Sequence, residues 1–116
     1  MVHWHMAEHG WTFGTGDHGE DACTGDRLGG RAHLHQVYTD AQADYTGRVT
    51  VPVLWDTRTN TIVNNESSEI IRMFNSAFDA WGDASLDFYP ADLRAEIDAV
   101  NETVYRKVNN LSLIHI

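Results

Sequence analysis

The sequence predicts an α/β fold, a β-hairpin that feeds a helix, followed by a separate second helix. Three observations carry this reading. "VTVPVLW" and "TIVN" are short β-branched runs parted by the turn formers "DTRTN". Ile70, Ile71, Phe74, Phe78 and Trp81 then recur at helical spacing behind the capping residues Asn64, Asn65, Ser67 and Ser68. Leu93, Ile97, Val100, Val104 and Val108 form a second stripe of the same period. With 116 residues, 42% apolar and 22% charged, the chain lies in the globular range and has room for one modest core.

Taken in order, "VHWHM" alternates like the end of a strand. Residues 14–30 concentrate glycine and acid, which predicts a loop or a poorly ordered insert. Leu34, Val37 and Tyr38 recur at helix-like spacing, so residues 31–45 are expected to hold a short helix or turn packed on one side. In the hairpin, Pro52 interrupts the first strand near its start. Proline has no N–H for the ladder and belongs at a strand's first residue, on an edge or at a bulge. It is also the residue for which a cis peptide is cheap. The 70–81 stripe predicts a helix with one buried face. Residues 83–87 form a linker, and Pro90 suits a first helical turn.

Charge excludes some functions. Seventeen acids against 8 bases give a net charge of −9, with no Lys/Arg cluster to displace the counterions of a nucleic acid or bind an anionic membrane. No apolar run is long enough to span a bilayer, and the N-terminus lacks the pattern of a signal peptide. A soluble, cytoplasmic protein is expected. The single cysteine, Cys23, cannot form an internal disulfide, which suits a reducing compartment.

"YTGRVTVPVLWD" with "IVNNESSEIIRMFN", together with "MAEHGWTF" and "LDFYPADLRAEIDAVNETVYRKVNN", resembles one branch of the glutathione transferases. That branch is the glutathionyl-hydroquinone reductases, or Xi-class enzymes. The resemblance covers most of the chain outside residues 14–30. It implies a partial thioredoxin-like N-terminal domain over residues 1–82. Residues 83–110 would then be the linker and first helix of an all-α C-terminal domain, and the 93–108 stripe is expected to be partly exposed or to contact the preceding helix.

The same resemblance implies site residues. The Val51–Pro52 peptide is expected to be cis, presenting the N–H and C=O of Val51 to glutathione, which pairs as an added strand. Ser67 and its backbone would receive the γ-glutamyl carboxylate, while Glu66 would hold the α-amino group. Trp11, in "GWTF", would supply an aromatic wall, and Tyr105 lies near where the family builds its aromatic substrate pocket. The residues by themselves leave other readings open: a trans proline at a strand start, a plain helix cap, a core aromatic and a half-buried core tyrosine.

In the family, a cysteine thiolate in a Cys-Pro-Trp motif attacks the glutathionyl-hydroquinone, and a second glutathione resolves the mixed disulfide. The sequence contains no such motif. Cys23 does not match it and sits among Glu20, Asp21 and Asp26, so no catalytic residue is assigned. The chain is therefore expected to be an internal fragment, inactive alone, of a homodimeric parent that uses glutathione as co-substrate and no metal. Residues 111–116, "LSLIHI", resemble the translated end of a sequencing adapter and are set aside from the fold. Two alternatives remain. One is a non-catalytic glutathione-binding or interaction module. The other is a metal-binding module built on the His-x-His pairs His3/His5 and His33/His35.

Overall fold

The computed structural model describes residues 2, 6–14 and 23–110. The "VHWHM" strand, the His3/His5 pair, residues 15–22 of the insert and the 111–116 tail lie outside the described residues. Two compact units divide the chain, Met1–Ile70 and Ile71–Ile116.

The first unit contains α1 (Leu34–Ala41), β1 (Leu54–Asp56) and β2 (Thr61–Asn64), and the start of α2 (Ser67–Phe74). Helix α1 forms where the sequence predicts it, and Leu34, Val37 and Tyr38 are its buried face. The amides of the cap and of the residue before it are satisfied by a side chain. Gln36 Oε1 accepts from the backbone N–H of His33 at 2.9 Å and of Ala32 at 3.0 Å. Phe13 joins the three buried residues of α1 in a core cluster, with Trp11, Tyr45, Val49, Val53, Trp55 and Ile62 packed around it. Residues 11–13 are stapled to the helix entrance by Phe13 N–H to Ala32 C=O at 2.9 Å and Leu34 N–H to Trp11 C=O at 2.8 Å.

β1 and β2 pair antiparallel in the register Trp55↔Ile62 and Asp56↔Thr61, with a bulge between Leu54 and Trp55. The first strand begins later than "VTVPVLW" suggests. Residues 49–53 stay outside the ladder, whose last pair, Leu54↔Asn64, lies past the bulge, and Pro52 has no N–H with which to extend it. The Val51–Pro52 peptide is cis, as the resemblance implies.

Of the two readings of residues 14–30, a loop or a poorly ordered insert, residues 23–30 take the first and form a built loop. Asp26 is its centre. Its carboxylate accepts from the amides of Leu28 at 3.0 Å, Gly29 at 3.2 Å and Arg31 at 3.0 Å, and from Arg31 Nη1 at 2.9 Å. Arg31 carries the loop to its surroundings through Nε to Asp40 at 2.6 Å and a guanidinium 5.4 Å from the Trp55 ring centre. Cys23 is only 2% exposed, not part of an open acidic loop. Gly14 explains how it fits. Gly14 adopts φ +60°, and a Cβ there would stand 2.8 Å from Cys23 Cβ. Gly14→Ala is therefore expected to lower stability by about 1–3 kcal/mol through strain and overlap together. Denaturant unfolding checks this, and the buried Cys23 thiol should react with a thiol reagent faster in the variant than in the native chain.

The second unit holds the rest of α2, then α3 (Arg94–Val104), which runs into a π-helical turn, Tyr105–Asn109. The predicted 70–81 helix is shorter than its stripe and its face is not buried. Ile70 is buried, but Ile71, Phe74, Phe78 and Trp81 are exposed, Trp81 at 83%. The helix stops at Phe74, and the side chain of the next residue is bonded to a later segment. Asn75 Nδ2 donates to Asp87 at 2.7 Å, and Asn75 Oδ1 accepts from the Phe88 amide at 2.7 Å. Beyond it the chain continues in turns, so the later aromatics share no helix face and stack on one another, Phe74 on Phe78 at 5.2 Å. The α3 stripe is exposed as expected, with Val100, Val104 and Val108 open. A turn at residues 91–93 precedes the helix, which starts four residues after Pro90. Arg72 on α2 reaches Asp98 on α3 at 2.6 Å, and Tyr89 Oη, ahead of α3, donates to the same carboxylate at 2.7 Å, both through exposed polar contacts. Such pairs contribute little.

Candidate functional site

Two segments named from the sequence converge in the first unit. The first runs through Thr50 and Val51 into Pro52. The Val51 side chain is 41% exposed, and its N–H and C=O make no hydrogen bond among the described residues. The second is the β2–α2 junction. Glu66 C=O accepts the first helical hydrogen bond, from Ile70 N–H at 2.9 Å, which makes Glu66 the cap and Ser67 the first helical residue. The first-turn amides of Ser67, Ser68 and Glu69 therefore have no acceptor within the helix. Asn64 shapes the junction from both ends of its amide. Its Oδ1 accepts from Glu66 N–H at 2.7 Å, and its Nδ2 donates to Glu69 at 2.6 Å. The Glu66 carboxylate and the Ser67 hydroxyl are exposed and engage no other described residue.

The two segments meet at one oxygen. Tyr38 Oη donates to Thr50 C=O at 2.8 Å and accepts from Asn65 Nδ2 at 3.1 Å, so the residue before Val51 and the residue before Glu66 share a partner. What results is a bare peptide edge beside a helix start that offers amide donors, a hydroxyl and one carboxylate. Chemically, this can pair with an extended peptide, receive a carboxylate at the helix start and hold a cation at Glu66.

A model of the family "Glutathione S-transferase, N-terminal domain" matches residues 4–77. The chain belongs to the glutathione S-transferase family. Within that family it is 52% identical over 110 residues to the glutathionyl-hydroquinone reductase PcpF of Sphingobium chlorophenolicum, covering 95% of this chain and 34% of that protein. Among solved glutathione transferases, glutathione-bound YqjG of Escherichia coli K-12 superposes with a TM-score of 0.85 at 51% identity, over 95% of this chain and 35% of that one. The Xi-class transferase of Phanerochaete chrysosporium gives 0.87 at 50% identity, over 95% and 38%. The chain thus spans about a third of the length of the relatives it matches. The thioredoxin-like α/β fold of the N-terminal domain of a glutathione transferase, followed by a C-terminal helix, is shared with them.

The other named residues stand apart from this junction. Trp11 packs partly buried against the core, with its carbonyl bonded to Leu34. Tyr105 lies in the second unit at the start of the π-helical turn and is exposed, so the half-buried core reading of it is corrected. His33 and His35 stack at 5.2 Å, but no group of three or more His, Cys, Asp or Glu among the described residues is arranged to hold a metal ion. No helix among the described residues is long and apolar enough to cross a membrane. A groove of about 470 Å³ lies between Phe13, Leu34 and Val37 on one side and Val53 and Trp55 on the other. Of the residues named for glutathione only Val51 lines it, so among them the groove meets the junction at Val51 alone.

Sequence reasoning missed two features. One is the Tyr38 hydroxyl, which spacing alone marks as a core residue. The other is the Asp26 loop, where "GDRLGG" carried a usable signal, since an aspartate followed by a Gly-Gly pair favours a side-chain-capped turn. Burial alone would raise the Asp26 carboxyl, but the amides of Arg31, Leu28 and Gly29 and the Arg31 guanidinium outweigh it and hold the pKa at about 2.

Proposed function

We propose that this chain is the glutathione-binding part of a cytoplasmic, glutathione-dependent reductase that removes glutathione from glutathionyl-hydroquinones by thiol transfer. Residues 1–82 form its thioredoxin-like domain, and residues 83–110 begin the helical domain of a homodimeric parent. The observation that carries the reading is the convergence of the unpaired Val51 peptide and the Glu66–Ser67 helix start on Tyr38 Oη. Glutathione is an extended peptide with an ammonium and a carboxylate at its γ-glutamyl end, which matches those groups. Val51 pairs with its backbone, the Ser67 amide and hydroxyl take the carboxylate, and Glu66 takes the ammonium. Trp11 and Tyr105 are assigned to the walls of the glutathione and aromatic sites by family likeness. YqjG, in its glutathione-bound form, and PcpF, named as a glutathionyl-hydroquinone reductase, support the ligand and the reaction.

The absence of a Cys-Pro-Trp motif and the burial of Cys23 favour binding without turnover for the 116-residue chain itself. Calorimetric titration with glutathione tests the site. Glu66→Gln is expected to weaken binding about tenfold or more, because it removes a charge-assisted bond to the ammonium, and Ser67→Ala by less. Glutathione lacking its α-amino group should bind the wild-type chain more weakly than glutathione does, and the Glu66→Gln chain equally well. Undiminished affinity in Glu66→Gln would overturn the assignment.

A further inference from the structure

We propose that Tyr38 is a positioning residue of the glutathione site, its hydroxyl setting the placement of the Val51 backbone against the start of α2. The inference rests on the glutathione reading above and adds to it a residue that touches no ligand. A phenol has one hydrogen to donate and two lone pairs to accept. All three are engaged. The O–H donates to Thr50 C=O at 2.8 Å, and the oxygen accepts from Thr50 N–H at 3.3 Å and from Asn65 Nδ2 at 3.1 Å. Thr50 immediately precedes Val51, and Asn65 immediately precedes Glu66.

Neither segment is held there by regular structure. Residues 50–53 lie outside β1, and Asn65 and Glu66 lie between β2 and α2. The Tyr38 ring, by contrast, sits on helix α1 within the core cluster and 5.0 Å from the Tyr45 ring centre. Tyr45 extends the same support, its hydroxyl donating to Arg48 C=O at 2.7 Å. A rigid helix thus carries one saturated oxygen to the two strands of chain that must present their groups together. Tyr38 is 2% exposed, so water has little access to replace that oxygen if it is removed. Looseness on the scale of an ångström between such groups is enough to weaken a site.

Tyr38→Phe in the full 116-residue chain keeps the ring and deletes the hydroxyl. Titration with reduced glutathione, followed through backbone amide resonances, is expected to give a Kd raised about five- to tenfold. Val37→Ala, which empties the same core without touching the hydroxyl, is the control for stability. It should lower the melting temperature at least as much and leave Kd within about twofold. Asn65→Ala cuts one of the three bonds from outside the core and should raise Kd about threefold. The Tyr38→Phe, Asn65→Ala double variant should lose no more than Tyr38→Phe alone. Equal affinity in wild type and Tyr38→Phe, or an equal loss in Val37→Ala, overturns the positioning role while leaving the glutathione site standing. Absence of any glutathione-dependent shift in the wild-type chain at about 10 mM overturns the glutathione reading first, and this inference with it. Should Tyr38→Phe fail to fold, Asn65→Ala decides, and an unchanged Kd there overturns the proposal.

Discussion

Asp26→Ala is expected to lower the stability of the Met1–Ile70 unit by about 3–5 kcal/mol, a large fraction of what holds a small domain folded. The Asp26 side chain is 6% exposed and Arg31's is 15% exposed, so neither partner can turn to water when the other is lost. Alanine would leave three amides and a guanidinium without their acceptor. It would also loosen Arg31, which links the loop to Asp40 on α1 and lies over Trp55 of β1. Chemical denaturation followed by Trp fluorescence measures the loss. A change below about 1 kcal/mol would mean that the loop is not a structural part of the unit.

Acid gives an independent reading of the same carboxylate. Its pKa is lowered on folding from 3.8 to about 2, so the native chain holds the charged form more tightly than the unfolded one does. The stabilisation is fully present above about pH 4 and is lost as pH falls towards 2, a difference of about 2 kcal/mol. Asp26→Asn should be less stable than wild type at neutral pH and lack this part of the acid dependence. An acid profile identical to that of wild type would remove Asp26 as its source.

The 116-residue chain is expected to reduce no glutathionyl-hydroquinone above the buffer rate. The reaction requires a thiolate to attack the glutathione sulfur. The carbon–sulfur bond to the ring breaks, the ring carbon takes a proton, and a cysteine–glutathione disulfide remains. A second glutathione then attacks that disulfide, releasing the cysteine thiolate and glutathione disulfide. The only cysteine is Cys23, 2% exposed and packed against Gly14, where no such substrate can reach it. Positioning without a nucleophile cannot supply the covalent step. Cys23→Ser should therefore leave the buffer rate unchanged. A chimera with the family's Cys-Pro-Trp segment joined ahead of Met1 should gain turnover and lose it when that cysteine is replaced. Turnover by the 116-residue chain that vanishes on Cys23→Ser would overturn this account.

The local chemistry of single residues was legible in the sequence. Leu34, Val37 and Tyr38 face the core because their spacing puts them on one side of a helix. The "DTRTN" turn and the β-branched runs around it make the hairpin. Pro52, with no N–H to give, lies outside the ladder, and Asn64 and Glu66 mark where α2 begins. Tertiary structure decided the remainder. Periodicity alone could not say that α2 stops at Phe74, where the chain passes into turns and the Asn75 side chain bonds Asp87 and Phe88, partners more than ten residues away. Composition could not separate an open acidic loop from one closed around Asp26, since the difference lies in whether Arg31 is anchored by Asp40 and Trp55. The candidate site divides along the same line. Glu66 and Ser67 announce a helix start in one dimension, but they become part of a site with Val51 only through Tyr38. Its hydroxyl reaches partners 12 and 27 residues further along the chain, and hydrogen bonds of that reach exist only once the chain has closed on itself.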